Sequence, residues 1–97
     1  MSHTVKVEFS CASGKRAALL AVLLPALEDT RTHHGCLSVE PYVDQDNPDQ
    51  VVVWQKWTTR SYQEAYLAWR DTTNIGDVLG PLLSAPPSFI HLMPTTE

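Results

Sequence analysis

The sequence predicts an α+β domain in which helices cover one face of a four-stranded antiparallel sheet, and three observations lead there. Apolar and polar residues alternate in the first strand-like run; apolar residues recur at three- and four-residue steps in longer runs; and a turn-rich segment separates two strand-like runs at hairpin distance. The resulting order, strand, helix, strand, strand, helix, strand, is the split βαβ arrangement.

Each element follows from local chemistry. Over residues 4–9, Val5, Val7 and Phe9 alternate with Lys6 and Glu8, the period of a strand with one buried face. Ser13 and Gly14 break that pattern, and Leu19, Leu20, Leu23, Leu24 and Leu27 then mark an amphipathic helix over residues 15–31. Pro25 lies inside it, removes one backbone donor and predicts a kink or a change of register. His33, His34 and Gly35 close the helix, and residues 36–43 resume as a strand carrying Leu37, Val39 and Tyr42.

The segment 44–50, DQDNPDQ, is rich in turn formers and makes the strands on either side antiparallel neighbours. Strand 51–57 sets Val51, Val53, Gln55 and Trp57 on one face and Val52, Trp54 and Lys56 on the other, so both faces are expected to be covered. Thr58 or Thr59 can cap a helix over 59–71 whose Tyr62, Ala65, Tyr66 and Trp69 form an inward stripe. A further helix is expected over 75–84, interrupted by Gly80 and Pro81, before Ala85, Pro86 and Pro87 lead into a strand over 88–93. Residues 1–97 form one domain by this reading.

The chain has 97 residues, of which 43% are hydrophobic and 19% charged, an ordinary globular composition. A net charge of -4 opposes binding to a nucleic-acid backbone or an anionic bilayer. The N-terminus lacks a basic segment followed by an apolar core, so a cytoplasmic address is expected, with no membrane segment. Cys11 and Cys36 read as free small hydrophobes, with no disulfide and no thiol chemistry. Adjacent His33 and His34 diverge in most backbones and do not make a chelate, and no phosphate loop, nucleophile elbow, CxxC pair or HExxH motif occurs. The expected isolated protein therefore carries no flavin, haem or stoichiometric metal.

Residues 51–70 hold all three tryptophans and two of the three tyrosines, and rings concentrated in this way line a cavity, an interface, or both. Gln55, Trp57, Tyr62, Trp69 and Arg70 are the candidate substrate-binding residues, and Tyr66 and His91 the candidate catalytic ones. Each has a plainer reading. The aromatic stripe also serves as core, Arg70 as half of a surface salt bridge, and His91 as a structural histidine rather than a base titrating near neutrality. A strand with Val52 and Trp54 on its second face implies a homodimer packed sheet to sheet, because an uncovered sheet would expose an apolar patch.

The ordered set of pieces resembles the antibiotic biosynthesis monooxygenase family of dimeric α/β barrels. It comprises the opening strand VKVEF, Gly35-Cys36-Leu37 starting strand two, Asp46-Asn47-Pro48 in the hairpin and Trp57 ending strand three. Glu64 and the Tyr66–Arg70 run follow on the second helix, then Pro86-Pro87 before the last strand. The resemblance implies a ferredoxin-like protomer, a homodimer with facing sheets and a pocket between sheet and helices. It also implies oxygenation of a small aromatic, enolic or quinol substrate by molecular oxygen without metal or flavin, while divergent members degrade haem.

The chain departs from the family pattern at three places. Gln55 stands where an acid is often found, Val53 where some catalytic members carry asparagine, and Tyr66 where histidine is common. A tyrosine, neutral at pH 7 when unperturbed, is a poor haem ligand. Two functions are compatible with this sequence: a cofactor-independent monooxygenase-like enzyme, and a non-catalytic dimeric barrel that binds an apolar metabolite or acts as an accessory protein.

Overall fold

The computed structural model describes residues 2–96. Strand β1 (His3–Ser10), helix α1 (Arg16–Thr32), strands β2 (Cys36–Val43) and β3 (Gln50–Trp57), helices α2 (Arg60–Arg70) and α3 (Ile75–Leu79), and strand β4 (Ser88–Leu92) follow in that order. The sheet is antiparallel throughout, in the order β2-β3-β1-β4. This is the α+β, ferredoxin-like architecture. No helix among the described residues is long and apolar enough to cross a membrane.

Strand alternation decides which side chains meet the helices. On β1, His3, Val5, Val7 and Phe9 are buried while the residues between them are half-buried; on β3, Val51, Val53, Gln55 and Trp57 are the buried set. The register aligns these in rows across the sheet: Val39, Gln55, Val5 and His91 in one, and Pro41, Val53, Val7 and Phe89 in the next. Leu19, Leu23, Leu27 and Thr30 of α1 press onto that face at three- and four-residue steps. Each fully buried leucine or valine contributes about 1.5–3 kcal/mol by leaving water.

Several details differ from the sequence expectation. Leu24 of α1, expected inside, is 43% exposed because the contact line follows Leu19, Leu23 and Leu27, and Pro25 lies within the helix. A bulge between Cys36 and Ser38 shifts the register at the start of β2, and Leu37 and Tyr42 lie largely in solvent. The helix expected over 75–84 stops as α3 at Leu79 and tightens into a 3-10 turn, Gly80–Leu82, with Pro81 at its start. Neither threonine caps α2 with its side chain: Thr58 is turned back onto the Gly35 carbonyl, and Thr59 bonds Ser61.

The second face of the sheet is mixed rather than apolar. Trp54, Ile90 and Leu92 lie there at 36–39% exposure, alongside Glu40, Lys56 and a Lys6–Glu8 ion pair of 2.9 Å.

Gly35 joins α1 to β2 at φ +87°, and a Cβ there would overlap the Tyr62 side chain. Gly14 has a similar φ of +74° but open space around it. Gly14→Ala is therefore expected to cost about 1–2 kcal/mol from backbone strain alone, and Gly35→Ala clearly more, since Tyr62 must also move. Urea unfolding of both variants checks this, and equal losses would contradict the close packing of Tyr62.

Candidate functional site

A cavity of about 230 Å³ lies between the sheet and the helices. Its floor is Val7, Phe9, Val53, Gln55 and Phe89 on three strands, and its walls come from α1, α2 and α3. Most of the lining is aliphatic; the polar side chains are Gln55, Tyr66, Arg70 and Asp71. A second, more open cleft of about 390 Å³ shares Gly76, Leu79 and Pro87 with it and carries no ionisable side chain.

Three of the sequence-predicted residues meet in this cavity: Gln55, Tyr66 and Arg70. The other four do not line it. Trp57 is fully buried beside Gln55, its ring 5.1 Å from that of Tyr66. Tyr62 packs over Gly35 and edge-on to His34 at 4.9 Å. Trp69 is 38% exposed and stacks outside Arg70 and His33. His91 lies two strands from Gln55 with Val5 between them, about 10 Å by strand spacing, and bonds His3 through Nδ1···Nε2 at 3.1 Å.

The stripe on α2 is therefore displaced by one residue from the expected one. Gln63, Tyr66, Leu67 and Arg70 turn inward, the same i, i+3, i+4, i+7 spacing as Tyr62, Ala65, Tyr66 and Trp69. Both registers contain Tyr66, and the polar character of Gln63 and Arg70 conceals the true one. Gln63 is 1% exposed, and neither its amide oxygen nor its nitrogen has a partner among the described residues; the same holds for His33 Nδ1. Each such group costs roughly 1–3 kcal/mol of desolvation.

The polar end of the cavity is organised by Arg70. Its Nε donates to the Tyr66 hydroxyl at 2.8 Å, and its Nη2 donates to the Ala26 carbonyl at 2.6 Å and to Thr30 Oγ1 at 3.2 Å. Thr30 Oγ1 lies 2.7 Å from the Tyr66 hydroxyl and 3.3 Å from the Ala26 carbonyl. Arginine only donates and a carbonyl only accepts, so one direction gives every contact a proton: Arg70 to Tyr66, Tyr66 to Thr30, Thr30 to Ala26. The phenolic proton of Tyr66 is thus committed to α1, and its oxygen is engaged on both sides, which leaves it poorly placed to ligate a haem iron.

Arg70 Nη1 has no hydrogen-bond partner, and the guanidinium no carboxylate within ion-pair distance, among the described residues. The rings of Trp69 and Tyr66 lie 4.8 and 5.3 Å from its central carbon and share its charge. Gln55 adds a second donor. The Trp57 indole N–H, 3.1 Å away, can only donate, so the amide oxygen must face it, and the amide nitrogen has no hydrogen-bond partner among the described residues.

Sequence reading missed Thr30, because a threonine in a leucine-rich helix carries no signal of a partner 36 residues away. Asp71, the one carboxylate among the described lining residues, was not among the candidate site residues either. Among the described residues no three His, Cys, Asp or Glu side chains gather to hold a metal ion.

The comparisons with known proteins agree with this architecture. The family model described as antibiotic biosynthesis monooxygenase matches residues 2–79. A protein from Mycobacterium tuberculosis is 25% identical with a TM-score of 0.86, covering 100% of this chain and 98% of its own. A candidate antibiotic biosynthesis monooxygenase from Nitrosomonas europaea is 15% identical with a TM-score of 0.88, covering 98% and 91%. A protein from Shewanella oneidensis, 24% identical with a TM-score of 0.80 over 94% and 90%, has the same fold. No protein of curated function matches the sequence.

The His3–His91 pair gives a pH prediction. Desolvation, then the positive charges of Arg60 and His3, hold the His91 pKa below the ordinary value of 6.5, while Glu64 opposes them. With the folded value below the unfolded one, the unfolded chain takes up its proton first as pH falls. Stability should therefore decline below about pH 6.5 until folded His91 also titrates. The effect is small because the ring is exposed to solvent. Thermal unfolding from pH 8 to 5 is expected to show less of this decline in His91→Asn, and parallel curves would contradict the assignment.

Proposed function

The chain belongs to the antibiotic biosynthesis monooxygenase family, and from that premise we propose a cofactor-independent oxygenase acting on a small aromatic, enolic or quinol substrate. The observation that carries the proposal is the cavity's polarity. Aliphatic walls surround a half-buried arginine that has no anionic partner among the described residues, with the Gln55 amide as a second donor. A desolvated cation without a counter-charge favours an anionic guest.

An electron-rich substrate anion is itself the reductant for oxygen. A methylene activated by adjacent carbonyl or aromatic groups loses a proton to become an enolate, which then reacts with dioxygen. One oxygen atom ends as the new carbonyl, and the other leaves as water with the two methylene hydrogens, so no external reductant is required. In this scheme Arg70 and Gln55 hold the enolate oxygen, and Asp71 takes the proton. The aliphatic walls exclude water, and Tyr66 aims Arg70 rather than donating a proton itself.

A second reading, a non-catalytic barrel that binds an apolar metabolite, is favoured by one feature: the described lining residues include no histidine, and Gln55 cannot act as a base. Oxygen uptake separates the two. Purified protein supplied with anthrone and with quinols is expected to consume oxygen above the uncatalysed rate, and Arg70→Met to lower turnover roughly 10- to 1000-fold, as for a lost oxyanion donor. A rate equal to buffer with tight binding would favour the binding protein.

The proposal includes a homodimer with facing sheets. Trp54, Ile90, Leu92 and half-buried Val52 share the face away from the helices, and pairing would cover them. Sedimentation is expected to give twice the chain mass at micromolar concentration, and Trp54→Glu to shift it to the monomer by placing an unpaired carboxylate in the interface. A wild-type monomer would contradict this assembly.

A further inference from the structure

We propose that Thr30 is a positioning residue that makes the cavity select a single oxyanion, a phenolate or enolate, over a carboxylate. The inference rests on the reading of the cavity as an anion site, and it follows from how the fold occupies the guanidinium of Arg70.

A guanidinium offers five N–H groups, and it grips a carboxylate through two parallel bonds from two of its nitrogens. Each of its two paired edges includes Nη2. Here Nη2 already donates to two acceptors of α1, the Ala26 carbonyl at 2.6 Å and Thr30 Oγ1 at 3.2 Å, while Nε is taken by Tyr66. Neither edge remains for a two-oxygen ligand. Among the described residues Nη1 alone has no partner, and it meets one oxygen at a time.

Thr30 is the hinge of this arrangement. It is 0% exposed on the inner face of α1, and its hydroxyl accepts from Arg70 and Tyr66 while donating to Ala26. All of its bonding capacity is used within the protein, so it cannot turn to a ligand. Its effect on binding runs through the angle and availability of Arg70. Gln55 adds one further donor, from the strand side of the same cavity.

The test uses three matched probes on the full-length protein: 4-nitrophenol, 4-nitrobenzoate and uncharged 4-nitroanisole, titrated at a pH where the first two are ionised. Wild type is expected to bind 4-nitrophenolate about tenfold more tightly than 4-nitrobenzoate, the scale of one charge-assisted hydrogen bond. The phenolate absorption band should also appear at lower pH on the protein than in buffer. Thr30→Val keeps the shape but removes an anchor that fixes the angle of Arg70, so the guanidinium can turn a paired edge to the cavity; 4-nitrobenzoate is then expected to gain and the gap to close, while 4-nitroanisole binding stays unchanged. Thr30→Ser, which retains the hydroxyl, is expected to keep the wild-type preference.

Equal binding of the two anions by wild type, or an unchanged gap in Thr30→Val, would overturn the selectivity while leaving the anion site in place. Equal binding of 4-nitrophenolate and 4-nitroanisole, or no binding of any probe, would overturn the anion site and the selectivity together. If Thr30→Val fails to fold, the wild-type ratio and the Thr30→Ser profile still decide: loss of the preference in the serine variant overturns the role of the hydroxyl.

Discussion

Arg70 is a half-buried cation held by neutral oxygens and aromatic rings, with no carboxylate paired to it among the described residues, and much of the site follows from that. Desolvating a guanidinium is costly, and its hydrogen bonds and ring contacts must offset the loss. Meeting that need fixes the last turn of α2 against α1. It brings the Ala26 carbonyl and Thr30 hydroxyl to the guanidinium, and it orients Tyr66 from the adjacent turn. The same contacts leave one nitrogen unpaired in a side chain that lines the cavity. Structural tethering and the proposed ligand recognition thus use different nitrogens of one group.

The sheet supplies the complementary half. Trp57 is fully buried, so its indole N–H needs an acceptor, and Gln55 two residues back on the same face provides it at 3.1 Å. An acid at that position could accept from the indole equally well, but it would place a negative charge on the cavity floor. Glutamine leaves a neutral donor instead. The floor and the wall therefore present the same polarity, which favours an anionic guest, and exposed Asp71 is the one carboxylate among the described lining residues.

The fold was legible because its signals are local. Alternation of Val5, Val7 and Phe9, the leucine spacing of α1 and the DQDNPDQ turn each report a backbone choice made within a few residues. The site was legible only in part. Gln55, Tyr66 and Arg70 were singled out and do share one cavity, since strand parity and helical spacing bring them there. Trp57, Tyr62, Trp69 and His91 were grouped with them on ring type, but a helix register is set by what it packs against. On α2 a buried Gln63 displaced the expected stripe by one residue. Thr30 was invisible because its importance lies in a contact spanning 36 positions, which no periodicity reports.

The central claim is that the fold holds Arg70 so that one nitrogen meets a ligand oxyanion inside the cavity. A crystal structure with a bound phenolate tests it most directly. The account predicts a single ligand oxygen about 2.7–3.1 Å from Arg70 Nη1, the Gln55 amide nitrogen as its second donor, and the Arg70 contacts to Ala26, Thr30 and Tyr66 intact. A ligand held elsewhere, or an Arg70 swung away from Thr30 to grip it with two nitrogens, would contradict the account.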